Sequence, residues 1–108
     1  MYYKGITVGY WAEACNLGYL LLKSRKLVNG QSAPRLYFTS DLRLAGYYAS
    51  LFGEVAEEKG LIIAFPVKNC NIIKDDYGFT AGSKGTEYYI ENCMIPINIC
   101  KIIEKEEK

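Results

Sequence analysis

The chain has 108 residues, half of them apolar, and a formal net charge of +1, which makes one domain (1–108) around a single modest core. Acids and bases are mixed along it, so no basic stripe suggests sequence-independent binding to duplex nucleic acid. No apolar run approaches the ~20 residues that cross a bilayer, and "MYYKGITVGY" lacks the basic-then-apolar layout of an export signal; a cytoplasmic protein with no membrane partner is expected.

Residues 2–6 form a strand candidate. Thr7 can cap the helix "VGYWAEACNL", in which Val8, Trp11, Cys15 and Leu17 fall near one face, and Gly18 suits its C-terminal stop. "YLLLKSRKLV" reads as a strand or as a further helical turn. "NGQSAP", 29–34, is a loop, and "RLYFT" is a strand by its aromatic content. "SDLRLAGYYASLFGEVAEEKG" is the strongest helix. Ser40 or Asp41 caps it, Leu42, Ala45, Ala49, Phe52 and Val55 or Ala56 trace one stripe, and Gly60 ends it. "LIIAFPV" is a strand and "NIIKDD" a shorter one. "DYGFTAGSKG" holds three glycines and reads as a loop. Strands near 86–91 and 97–103, separated around Pro96, close the chain before a fraying tail, 103–108. Two helices against a mainly antiparallel sheet make an α+β fold.

Four cysteines, Cys15, Cys70, Cys93 and Cys100, form no C-x-x-C pair, so reduced, buried thiols are expected and a metal site is not. There is no histidine. That removes Ser-His and Cys-His nucleophiles and the commonest general base. Chemistry must come from carboxylate, Lys, Tyr, Ser/Thr or backbone groups.

Three stretches could carry it. In "GTEYYIENCMIPINICKII", 85–103, strand alternation turns Glu87, Tyr89 and Glu91 one way, wet or lining a cleft, and Tyr88, Ile90 and Asn92 toward a core. By itself Glu87 reads first as a solvated strand-end charge, and the preceding "AGSKG" as a plain turn or a functional loop. In "LYFTSDLRLAGYY", Tyr37 ends a strand beside a helix N-terminus and Tyr48 lies two turns into that helix. The chain's ten tyrosines can stack on a flat ring or serve as amphipathic core and rim. In "YYKGIT", Lys4 is a cation on a strand and Gly5 permits close approach to the backbone, although a lysine there also suits a solvated edge.

Taken in order, these stretches resemble the ADP-ribosyltransferase superfamily, most closely the branch of the poly(ADP-ribose) polymerases and diphtheria-like toxins. "YKGITVGYWAEACNLGY" is similar to the family's strand with a basic residue and Gly followed by a helix ending in Gly. "RLYFTSDLRLAGYYA" is similar to its strand "G-[IL]-Y-F" and the following helix with a second Tyr. "GTEYYIENCMIPINICKII" is similar to its late strand opening on the catalytic glutamate.

The resemblance implies a fold of split antiparallel sheets with two flanking helices, and NAD as substrate in the cleft between the sheets, with no metal. It implies Glu87 and Lys4 as catalytic residues and Gly5, Tyr37, Tyr48, Thr39 and Ser40 as the NAD-binding set. Gly5 would hold the nicotinamide carboxamide through its backbone, Tyr37 and Tyr48 would stack around the ring, and Glu87 would bond the ribose 2′-hydroxyl. Lys4 stands where the family has His or Arg, and Ala45 where the polymerase branch has a serine. Thr39 and Ser40 are similar to part of the Ser-Thr-Ser element of the other branch. The small size favours mono-ADP-ribosylation of an unknown acceptor (protein, nucleic acid or small molecule) or NAD hydrolysis, in a toxin, effector or phage protein. Two other readings stand beside these: an inactive module of the same fold that binds NAD, ADP-ribose or a macromolecule, and an interaction protein with exposed tyrosines. Convergence of Lys4, Tyr37, Tyr48 and Glu87 on one cleft separates the first two readings from the third.

Overall fold

A computed structural model describes residues 1–26, 32–75 and 86–103. In chain order the elements are β1 (Tyr2–Thr7), α1 (Val8–Leu17), β2 (Lys23–Lys26), β3 (Ser32–Thr39), α2 (Leu42–Ala56), β4 (Gly60–Phe65), β5 (Ile73–Lys74), β6 (Glu87–Glu91), a 3-10 turn (Ile97–Ile99) and β7 (Lys101–Ile103). The loop expectations for 29–31 and 76–85, and the tail at 104–108, fall outside the described residues. No described helix is long and apolar enough to cross a membrane.

The fold is α+β: antiparallel strands in the order β5-β6-β3-β1-β4-β7, with β2 added to β3. Two separate sheets are not what forms. One connected sheet is present, pinched at its centre. Among the described residues β1 pairs with β3 at Tyr3–Thr39 alone. It pairs with β4 along its whole length, Tyr2–Phe65 to Thr7–Gly60. The opposite end of β3, Ser32–Arg35, is taken by β2. Beyond Tyr3, β1 therefore parts from β3 and leaves a seam in the sheet.

Each face of the sheet carries one helix, because alternate strand residues point to opposite faces. On one side Ile6, Phe38, Ile63, Phe65 and Ile90 join Ala14 of α1, Leu20 and Ile95 in the main core, with Tyr10 and Trp11 against them. Thr7 caps α1, its hydroxyl accepting from Tyr10 N–H at 3.2 Å, and Gly18 ends it at φ 88°, a left-handed conformation that suits glycine. The buried face differs from the expected one. Val8, Cys15 and Leu17 are exposed, and Tyr10, Trp11 and Ala14 meet the core.

On the other side α2 lies against β1 and β4 through small residues. Ala45, Gly46, Ala49 and Gly53 are buried with Leu44; of the expected stripe Ala45 and Ala49 face the sheet, while its large members Leu42, Phe52 and Val55 stay exposed at the margin of the contact. A Cβ on Gly5 would collide with the Ala45 carbonyl and the Ala49 amide. Close approach of helix to strand is the reason small residues own this face. Asp41 is the cap, its carboxylate accepting from Arg43 N–H at 2.9 Å. The helix stops at Ala56 with Glu57 left-handed, ahead of Gly60, which instead opens β4.

Further differences concern the connections. β3 begins at Ser32, inside the expected loop. Pro34 stands opposite Ser24 of β2 and lies before the β6 register, which starts at Arg35, so on that side no described strand pairs with it. "NIIKDD" contributes two residues of strand, and 97–103 splits into the 3-10 turn and β7. Cys70 and Cys93 are joined in a disulfide, their Cα atoms 6.0 Å apart, in place of the expected reduced thiols. The 23-residue separation hides the pair from a spacing search, and the turn after β4 and the end of β6 bring it together. Cys15 and Cys100 are free, and burial, with Cys15 adding to it, pushes the Cys100 thiol up to about 11.

Candidate functional site

The seam between β1 and β3 opens into a cavity of about 510 Å³. Tyr3, Lys4, Gly5, Ile6 and Thr7 of β1 form one wall and Tyr37, Phe38 and Thr39 of β3 the other, with Glu87 at the start of β6. Helix α2 supplies Tyr48, Leu51 and Phe52, and α1 supplies Tyr10. The wall is mostly aromatic and aliphatic with a few polar groups, as small-molecule sites generally are.

Glu87 reaches this place by strand register. It pairs with Thr39 at the end of β3, and Thr39 pairs in turn with Tyr3 of β1. Alternation along β6 behaves as expected, with Ile90 fully buried on the core face and Tyr88 packed beside it. Asn92 leaves the pattern, adopting φ 53° past the strand end. Thr39 is 2% exposed, and its hydroxyl donates to the Thr86 carbonyl at 2.6 Å while accepting from Asp41 N–H at 3.0 Å. That hydroxyl joins the start of α2 to the residue before Glu87.

Tyr48 Oη donates to Glu87 Oε2 at 3.0 Å. The Tyr48 ring stacks on Phe52 with centroids 5.5 Å apart and planes 13° apart, an i,i+4 pair on α2. Helix and strand are thus joined at the carboxylate. Lys4 Nζ donates to the Tyr37 carbonyl at 2.7 Å, crossing the seam where a strand ladder would otherwise run, and lies 5.9 Å from the Tyr10 ring. Tyr10 Oη donates to the Leu21 carbonyl at 2.9 Å, and burial drives its phenol well above the ordinary range.

Six of the seven residues singled out in the sequence, Lys4, Gly5, Tyr37, Thr39, Tyr48 and Glu87, border this one cavity. Ser40 does not: it is exposed in the turn before α2. Gly5 is fixed first by packing, since its α-carbon faces the α2 backbone. Ala45 is fully buried against β1 and β4, outside the cavity wall. Sequence reasoning missed the other wall residues, among them Tyr3, Thr7, Tyr10, Leu51 and Phe52. Tyr48 and Phe52 are one helical turn apart, which is the signal that could have found the second of them.

Chemically, the site offers a carboxylate held by a phenol, flat aromatic surfaces, and a cation bound to backbone at the cavity wall. Such a set can grip a planar ring and place negative charge beside a centre that becomes positive. The chain matches no family model, no curated protein and no solved structure.

Proposed function

We propose that the protein cleaves the nicotinamide–ribose bond of NAD, as a mono-ADP-ribosyltransferase toward an acceptor or as an NAD glycohydrolase. The observation that carries this reading is the meeting of the Tyr48 phenol and the Glu87 carboxylate, 3.0 Å apart, in a cavity that Tyr37 also borders. A volume of about 510 Å³ suits a nicotinamide and its ribose.

The nicotinamide ring lies among the tyrosines, and the ribose lies beside Glu87, which accepts from its 2′-hydroxyl. The bond between the ribose anomeric carbon and the ring nitrogen breaks. Its electron pair leaves with nicotinamide, neutralising the pyridinium. The ribose becomes oxocarbenium-like, and the adjacent carboxylate stabilises that charge. Water or an acceptor nucleophile then attacks the anomeric carbon and gives up a proton. Incubation with NAD tests the reading: free nicotinamide is expected.

Lys4 motivates a second reading. Its ammonium is engaged with the Tyr37 carbonyl at the position where the resemblance calls for a His or Arg. Lysine is a mobile point charge without a fork or a fixed ring. A module that binds NAD or ADP-ribose without turnover would rise in thermal midpoint with ligand and release no nicotinamide.

A further inference from the structure

Beside the cavity, on the face that carries Glu87, stands a second cluster. Arg35 and Tyr37 are two residues apart on β3 and share a face. Across the ladder Arg35 pairs with Glu91 and Tyr37 with Tyr89. The Arg35 side chain is only 14% exposed. Its Nε lies 3.3 Å from Glu91 Oε2, and its Nη1 donates to Tyr37 Oη at 3.1 Å. Its guanidinium carbon sits 4.1 Å from the Tyr89 ring centroid, and the Tyr37 and Tyr89 rings are 5.5 Å apart.

The planar fork of an arginine can serve two acceptors while its face rests on a ring. Here all three contacts are made, and Glu91 balances the charge. Of the four residues, Tyr37 is the one that borders the cavity. A tyrosine on an open strand face would otherwise change rotamer freely, which costs affinity when a ligand has to order it.

We propose that Arg35 is a positioning residue: through Tyr37 Oη it fixes the Tyr37 ring as a rigid wall of the cavity, and so sets affinity for the flat ring of the ligand. The inference rests on the NAD-cleaving reading of that cavity. Arg35 touches neither the reacting bond nor Glu87, so its loss weakens binding more than turnover.

A double-mutant cycle on NAD cleavage tests it, with Arg35→Met, Tyr37→Phe and the pair, reading KM and kcat separately. Arg35→Met and Tyr37→Phe each raise KM about tenfold, the scale of one hydrogen bond to a charged group, with kcat within about threefold. The double variant matches the single ones, because both remove one interaction. Arg35→Lys, which keeps a charge beside Glu91 but lacks the fork, replaces Arg35→Met if that variant fails to fold, and the same KM rise is expected. An unchanged KM in either single variant, or effects that multiply in the double, overturns the inference and leaves the NAD reading intact. A wild-type protein that does not cleave NAD removes both.

Discussion

Tyr48 on α2 and Glu87 at the head of β6 are 39 residues apart in sequence, and the phenol of one donates to the carboxylate of the other at 3.0 Å. The bond spans two elements that meet at the seam of the sheet. It gives Tyr48 two separable tasks, since the ring stacks on Phe52 and borders the cavity while the hydroxyl orients the acid. Tyr48→Phe keeps the ring and removes the hydroxyl. We expect kcat for NAD cleavage to fall about tenfold, the worth of a hydrogen bond to a charged group, with KM changed by less than about threefold. Steady-state kinetics on the two proteins would show it. A KM effect with unchanged kcat would mean that the hydroxyl serves ligand binding instead.

Gly5 lies where β1 presses on α2. Any Cβ there meets backbone atoms of Ala45 and Ala49, which cannot swing aside as a side chain would. Gly5→Ala should cost on the order of 3 kcal/mol by overpacking. It should also lower NAD turnover by shifting β1, since residues 3–7 of that strand form one cavity wall. Urea unfolding monitored by circular dichroism measures the first effect. A midpoint equal to wild type would contradict the packing account.

The Cys70–Cys93 disulfide closes a ring that contains β5 and β6, and therefore Glu87 and Tyr89. A loop of this size restrains the unfolded chain by about 3 kcal/mol in the chain-entropy treatment. The double variant Cys70→Ala/Cys93→Ala should lose stability on that scale in denaturant titrations. Wild-type protein treated with reductant should fall to the same midpoint, while the variant should not respond. Equal stability with and without reductant in wild type would rule out the contribution.

Much of the fold was legible because the signals were local. Thr7 and Gly18 bound α1 through a side-chain cap and a left-handed glycine, both chemistries of adjacent residues. Alternation in "EYYIE" sends Ile90 to the core and leaves Glu87 on the other face. Distance-dependent features were hidden. Nothing in the sequence of β1 says that it meets β3 at one pair and then diverges, yet that divergence makes the cavity. On α2 the sequence places Ala45 and Ala49 on the packed face, where the structure has them, but hydrophobicity also puts Leu42, Phe52 and Val55 there, while the contact with Gly5 selects for smallness and Gly46 and Gly53 are buried in their stead. Lys4 could be marked as a cation near the site, but its bond to the Tyr37 carbonyl depends on the width of the seam. The Cys70–Cys93 pair is likewise a product of tertiary proximity.

The central claim is that the Glu87 carboxylate stabilises a ribose turning cationic as nicotinamide departs. Nicotinamide release from NAD, compared between wild type and Glu87→Gln at equal folded concentration, tests it most directly. Wild type should release nicotinamide and Glu87→Gln, nearly isosteric but uncharged, should be slower by at least about two orders of magnitude, as for loss of a key electrostatic group. Equal rates in the two proteins would contradict the account.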